Sequence, residues 1–183
     1  VLDLQVVAYR VHDKVVLVTG AGGAIGSEMC RQICRFAPKR LLLLEQAENA
    51  LFEIHRELLA LGLPFEVTPL IADICDSGRL KSIFASHAPH VIIHAAAHKH
   101  VPMMEWNPGE AIKNNVFCTK KLADAAIAAG VERFVMISTD KAVNPTSIMG
   151  ATKRVAEMYL QAFNGMRDEG EGMRGEGSGM RDE

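Results

Sequence analysis

Four consecutive polar residues, Ser138, Thr139, Asp140 and Lys141, follow the apolar run Phe134 to Ile137, and a further lysine, Lys153, stands four residues beyond Met149 in SIMGATKRVAE. A carboxylic acid can donate to a departing hydroxyl, and an amine can take a carbon-bound proton, once burial and neighbours bring their pKa values toward the working pH. Asp140 and Lys141 are therefore a candidate proton-transfer pair; the competing reading is a surface ion pair of negligible energy. What favours chemistry is their position just past a strand's carboxyl end. Lys153 raises a separate question, because a lysine beside a bound cofactor ordinarily works with a proton donor, and the thioether of Met149 has no proton to give.

A second constellation lies near the amino terminus. VTGAGGAIGSE sets Gly20, Gly23 and Gly26 as T-G-x-x-G-x-x-G, directly after an apolar strand and at the start of a helix. Those glycines supply a tight turn, close approach of the main chain to a pyrophosphate, and close helix–sheet contact. The diphosphate then meets the free N–H groups and positive dipole end of the helix. Ala24 and Ile25 complete that binding loop. Glu45 closes the second apolar run 19 residues beyond Gly26, where a carboxylate holds the adenosine ribose hydroxyls and repels the extra phosphate of NADP, so NAD is expected. The alternative for Glu45 is a surface acid. Asp73, with Ile74 beside it, either reaches the adenine edge or caps the next turn.

HAAAHKHVPMMEWNP supplies the third group. Ala95, Ala96 and Ala97 let a flat ligand pass close to the backbone, and Asn115 is assigned to the same cofactor-binding set. His98 and Lys99, just past a strand end, are placed to meet a charged substrate, with Ser138 opposite; the alternative is solvated loop residues. His94, His98 and His100 are spaced H-x3-H-x-H, but Lys99 lies between two of them and no thiolate or carboxylate completes a shell, so no metal is expected.

These residues need a frame that places them on one edge. Residues 14 to 20, 40 to 45, 65 to 73, 90 to 97 and 133 to 139 read as strands, mostly too continuous in apolar residues to have a wet face. Residues 24 to 36, 48 to 61, 77 to 87, 108 to 129 and 149 to 163 repeat apolar positions at three- and four-residue spacing and read as helices. Five such alternations predict an α/β fold, a Rossmann-like doubly wound parallel sheet of order 3-2-1-4-5, with ligands beyond the carboxyl ends of the strands. The functional loops are then those after residues 19, 45, 73, 97 and 138.

Composition narrows the partners. The 183 residues suit one domain, with 49% hydrophobic and 23% charged residues and a formal net charge of −2. Charges of both signs are interleaved, which leaves no footprint for nucleic acid or an anionic membrane. No run approaches the roughly 18 apolar residues of a membrane span and no signal peptide opens the chain, so a cytoplasmic location is expected. Cys30, Cys34, Cys75 and Cys118 lack C-x-x-C spacing and read as free thiols in a reducing compartment. Val1 in place of Met points to a fragment or a processed start. The domain limits read as a linker over 1–13, an NAD-binding domain over 14–163, and a disordered tail over 164–183, where Gly-Met-Arg recurs every seven residues among glycines that oppose a helix.

TGAGGAIGSE, AAAHKHVPMMEWNPGEAIKNN and STDKAVNPTSIMGATKR together resemble the extended short-chain dehydrogenase/reductase superfamily, from about Asp3 to about Phe163. Within it the chain is similar to the bacterial polysaccharide-biosynthesis branch of nucleotide-sugar 4,6-dehydratases that act on UDP-N-acetylglucosamine. The resemblance implies a reaction in which NAD takes hydride from C4 of the sugar, water leaves across C5 and C6, and the hydride returns to C6. It implies Asp140 as the acid at the C6 hydroxyl, Lys141 as the base at C5, Thr139 near the C4 oxygen, and Lys153 against the nicotinamide ribose. The superfamily's Tyr-x-x-x-Lys is here Met149-x-x-x-Lys153, as in membrane-linked members of the branch, so proton work falls to Asp140, Lys141 and Thr139 while Met149 fills the tyrosine's space. Tyr159 is off the lysine's helix face. The resemblance also implies a UDP-sugar partner, a homo-oligomeric parent protein with a membrane anchor outside this segment, and a chain truncated before the carboxyl-terminal substrate-binding region. The reading from another class is a non-catalytic dinucleotide-binding module.

Overall fold

The computed structural model describes residues 4–175. Helix α1 (Leu4–Val11) leads into β1 (Val15–Thr19), then α2 (Ala24–Cys34), β2 (Arg40–Glu45), α3 (Glu48–Leu59), β3 (Glu66–Ile71), α4 (Ser77–His87) and β4 (Val91–His94). Short helices α5 (Val101–Trp106) and α6 (Pro108–Ile112) follow, then a π-helical turn (Lys113–Cys118), α7 (Thr119–Ala128), β5 (Arg133–Met136), a 3-10 turn (Asp140–Ala142) and α8 (Ile148–Gly175). All pairings are parallel and the order is β3-β2-β1-β4-β5, as the alternation of elements predicts.

The central strands are buried on both faces because successive side chains alternate between two separate cores. Leu17, Leu42, Leu44 and Ile92 face α4 and α7, among Leu80, Phe84 and Leu122. Val16, Val18, Leu41, Leu43 and Ile93 face α2 and α3, among Cys30, Ile33, Leu51 and Leu58. Truncating a core leucine such as Leu42 to alanine costs about 2–5 kcal/mol.

A small polar cluster, His94 with Thr19 and Thr119, is enclosed at the centre. His94, the last residue of β4, is fully buried; its Nδ1 shares a hydrogen with the Thr19 hydroxyl at 2.7 Å and its Nε2 with the Thr119 hydroxyl at 2.9 Å. Thus β1, β4 and α7 are tied together just beneath the edge where the candidate site residues emerge. A buried polar group with both ring nitrogens partnered is a structural histidine, not a ligand.

The structure departs from the sequence reading in several places. Residues 4–11 of the expected linker are helical, and Val11 is buried in the α2/α3 core. The single helix expected over 108 to 129 is divided by the π-helical turn, which turns Asn115 and Cys118 inward. The outer strands are not enclosed: Ile71 of β3 and Val135 of β5 are about half exposed. Helix α8 runs on to Gly175, into the tail that begins at 164; residues 176–183 of that tail lie outside the described residues.

Cys30 and Cys34 are free thiols as expected, while the fold brings Cys75 and Cys118 together, with Cα atoms 4.5 Å apart. Their 43-residue separation hides the pair from any test of local spacing. Burial raises the thiols of Cys30 and Cys34 above the ordinary range. Among the described residues, no helix is long and apolar enough to cross a membrane.

Burial, aided by nearby Lys153, depresses the His94 pKa from 6.5 to about 3. The unfolded chain therefore binds a proton that the folded one refuses, so the folded state loses stability as pH falls from 6.5 toward 3, by up to about 1.4 kcal/mol per pH unit. Denaturant titrations over that range are expected to show this slope, and His94→Gln is expected to flatten it while lowering stability at pH 7.

Candidate active site

The turn after β1 depends on missing side chains. Gly20 takes φ +67°, and a Cβ on it would lie 2.7 Å from the backbone of Ala96. A Cβ on Gly26 would overlap the Gly20 carbonyl, which also accepts the Gly23 N–H at 3.0 Å. The chain after β4, Ala95 to Ala97, is thereby pressed against the loop after β1. Gly23 caps α2 in extended conformation without a side-chain hydrogen bond, so the first-turn N–H groups of this 11-residue helix have no side-chain partner from their cap.

A cleft of about 170 Å³ opens there. Gly20, Gly23, Ala24, Ile25 and Gly26 form one wall, with Ile25 half exposed toward it. Glu45, Asp73 and Ile74 form the rim at β2 and β3, and Ala95, Ala96 and Ala97 with His98 and Lys99 form the other side. The Glu45 carboxylate accepts from the backbone N–H of Gly22 at 3.2 Å and of Gln46 and Ala47 at 2.9 and 3.1 Å, so the acid also braces the glycine loop. Asp73 accepts the Cys75 N–H at 2.8 Å.

Asn115 is not on the cleft wall; its neighbour Asn114 is. The Asn115 amide clamps the backbone of His98 from both sides, at 2.9 and 3.0 Å, and donates at 3.0 Å to Thr152 on α8. It positions the His98–Lys99 loop, which lines the cleft.

A second group lies beyond β5, outside that cleft. Thr139 caps the 3-10 turn: its hydroxyl donates to Asp140 at 2.9 Å and accepts the Lys141 N–H at 3.3 Å. Lys141 Nζ is 3.2 Å from the same Asp140 oxygen. The hydrogen bond from Thr139, then that from Lys141, holds the exposed Asp140 carboxyl below its ordinary pKa. A Cβ on Gly150 would overlap the Lys141 carbonyl, so the start of α8 lies directly against this turn. Glu105 of α5 accepts the Ile148 N–H at 2.8 Å and caps α8 from outside.

Lys153 is only 7% exposed, and its ammonium donates to the Ile137 carbonyl at 2.7 Å. Burial lowers its pKa, opposed by the negative charge of Glu157. Met149 is buried with Met104 and Ala111, packing α8 against α5 and α6. Ser138 donates to Glu157, not to the cleft. Tyr159 bonds Asp124 on α7, on the far side from Lys153. Sequence reasoning missed Asn114, Glu105, Gly150 and Glu157; only Gly150, a glycine at a helix start, carried a local signal.

A doubly wound parallel sheet with a glycine-walled cleft across its strand ends defines a Rossmann-like α/β domain. The chain belongs to the polysaccharide biosynthesis protein family, whose pattern matches residues 16–174, within the extended short-chain dehydrogenase/reductase superfamily. It is 49% identical over 164 residues to the capsular polysaccharide biosynthesis protein CapD of Staphylococcus aureus, covering 89% of this chain and 27% of that protein. It is 32% identical to the inverting UDP-N-acetylglucosamine 4,6-dehydratase of Campylobacter jejuni subsp. jejuni serotype O:2, covering 85% of this chain and 45% of the enzyme. The crystal structure of a DesIV double mutant, a dTDP-glucose 4,6-dehydratase from Streptomyces venezuelae with NAD and DAU bound, superposes with TM-score 0.70 at 25% identity, over 81% of this chain and 51% of that one. The chain thus spans about half, or less, of the length of these relatives.

The loop geometry separates two glycines. Gly26→Ala forces a methyl into a carbonyl and is expected to cost about 1–3 kcal/mol, whereas Gly23→Ala meets only that same oxygen at 3.3 Å and is expected to cost less, read from melting temperatures of the two variants.

Proposed function

We propose that this chain carries the NAD-binding and proton-transfer part of a nucleotide-sugar 4,6-dehydratase acting on a UDP-N-acetylglucosamine-like substrate in polysaccharide biosynthesis. The observation that carries the reading is the fixed Thr139–Asp140–Lys141 turn, an acid and a base 3.2 Å apart beside the buried Lys153, at the strand end next to the glycine-walled cleft. Exchange of a hydroxyl's configuration needs only hydride removal and return; an adjacent acid and base add the capacity to eliminate water.

The residues present fit a dinucleotide. Gly20 and Gly26 leave a cradle that a Cβ would fill, the α2 amino terminus offers N–H groups to a diphosphate, and the Glu45 carboxylate suits ribose hydroxyls and repels a 2′-phosphate. Bound NAD supplies the hydride acceptor and donor for the sugar. Lys153 holds positive charge beside the nicotinamide ribose. The ion-paired Lys141 first passes its proton to Asp140, which gives it to the departing C6 hydroxyl, and the neutral Lys141 amine takes the C5 proton; the C4 hydroxyl proton lost on oxidation leaves through the Thr139 hydroxyl to water. Met149 takes no part in proton transfer and keeps α8 packed.

For Asp140 to act as an acid, its carboxyl must rise from the low value it has in water. A sugar lying over the turn displaces that water and moves it upward. His98 and Lys99, on the cleft side, meet the charged part of the substrate.

Calorimetric titration of the chain is expected to show NAD binding, with NADP weaker by about tenfold or more and Glu45→Gln narrowing that difference. Incubation of the protein containing this chain with UDP-N-acetylglucosamine is expected to give a product lighter by one water in mass spectrometry. Asp140→Asn and Lys141→Met are each expected to slow turnover by about 10²–10⁴-fold with NAD affinity kept. NAD binding without any product would instead support a non-catalytic dinucleotide-binding module, and absence of NAD binding would refute the proposal.

A further inference from the structure

Helix α8 grips the end of β5 at two consecutive residues. Lys153 donates to the carbonyl of Ile137 at 2.7 Å, and one turn later Glu157 accepts the hydroxyl of Ser138. Lys153 and Glu157 are four residues apart, so they share one helix face. Ile137 and Ser138 directly precede Thr139, Asp140 and Lys141. The second Glu157 oxygen takes the Arg154 guanidinium at 3.1 Å, which leaves both carboxylate oxygens engaged and its orientation set.

We propose that Glu157 is a positioning residue: with Lys153 it makes a two-point clasp on Ile137–Ser138 that fixes the Thr139–Asp140–Lys141 turn and keeps a counter-charge beside the lysine. The catalytic use of the clasp rests on the dehydratase reading; the clasp itself does not.

Three features support it. Beyond β5 the turn is held by its own side chains, by burial of Ala142 and by the close approach of Gly150 to the Lys141 carbonyl, and the clasp adds the side-chain hydrogen bonds from α8 to the residues that lead into it. The Ser138 hydroxyl is spent on Glu157, which makes it a tether. The charged and titratable groups around Lys153 are few: His94 on β4, neutral near pH 7, and Arg154 and Glu157 on α8, while β5 offers only a carbonyl. Among the described residues, Glu157 is the negative charge that opposes the loss of the Lys153 proton that burial favours.

The test uses the chain labelled with 13C-lysine, following the Lys153 13Cε shift against pH, with the signal assigned by its loss in Lys153→Arg. Amide exchange at Asp140, Lys141 and Ala142 is measured alongside. Glu157→Gln is expected to move the Lys153 midpoint further down and to speed exchange in the turn about tenfold. Ser138→Ala is expected to speed that exchange and leave the midpoint in place, and Glu157→Asp to retain the midpoint of the parent. Ser138 is exposed and Glu157 half-buried with both oxygens bonded, and a general loss of structure would move the lysine titration and the turn exchange together in every variant instead of giving this pattern. A Lys153 midpoint unmoved by Glu157→Gln, or turn exchange unchanged in both Glu157→Gln and Ser138→Ala, would overturn the proposal. Failure of the dehydratase reading shows separately, as absence of NAD binding by the unmutated chain with the clasp measurements intact.

Discussion

No side chain can stand where Gly20, Gly26 and Ala96 meet, and the site depends on that exclusion. The Gly20 carbonyl is the shared point: the Gly23 N–H bonds to it, Gly26 packs on it, and the chain leaving β4 lies against the Gly20 α-carbon. Only with α2 this close to the sheet do its first N–H groups and the Ala95–Ala97 backbone face one narrow cleft. His94 fixes the same edge from below, through Thr19 and Thr119, so the cleft floor is set by backbone contact above and a buried hydrogen-bond chain beneath.

The second half of the site is built on a different principle. There the backbone leaves the sheet and is held by side chains: Thr139 caps the turn, Lys153 and Glu157 grip the two residues before it, and Gly150 lets α8 approach. Met149 explains why no phenol stands four residues before Lys153 in this helix. Its side chain lies in an apolar pocket with Met104 and Ala111, where a hydroxyl would need a partner or carry a desolvation cost of about 1–3 kcal/mol. The titratable pair nearest to this helix start, Asp140 and Lys141, lies in the turn, which is open to solvent.

The sheet was legible because continuous apolar runs and helical spacing are properties of each segment alone. Strand order, the glycine loop and Lys153 follow from that same local pattern together with the handedness of crossovers. Much of the rest was not legible because it arises between distant segments. An i→i+5 turn leaves no mark in a 3.6-residue repeat, so the inward swing of Asn115 toward His98 and Thr152 was hidden, and Asn115 passed for a cleft residue in place of Asn114. Cys75 and Cys118 meet only because that turn brings Cys118 beneath the loop after β3. Ser138 reads as a free hydroxyl facing a ligand until α8 brings Glu157 to it, and Glu157 itself looks like any exposed helical acid.

The two halves differ most in their relation to water, and that difference bears on how acid chemistry is controlled. Asp140 is strongly exposed, with Thr139 and Lys141 both stabilising its charged form, so in water it is a carboxylate and a poor proton donor. Lys153, enclosed behind it, is pulled the other way by burial and restrained by Glu157. On the proposed reaction, a sugar ring covering the turn removes solvent from Asp140 and raises its pKa, while Lys141, turned toward the substrate, stops stabilising the carboxylate. The acid is therefore made by the substrate that needs it, and the bare turn, its carboxyl held in the charged form by Thr139 and Lys141, has no proton to give to a departing hydroxyl.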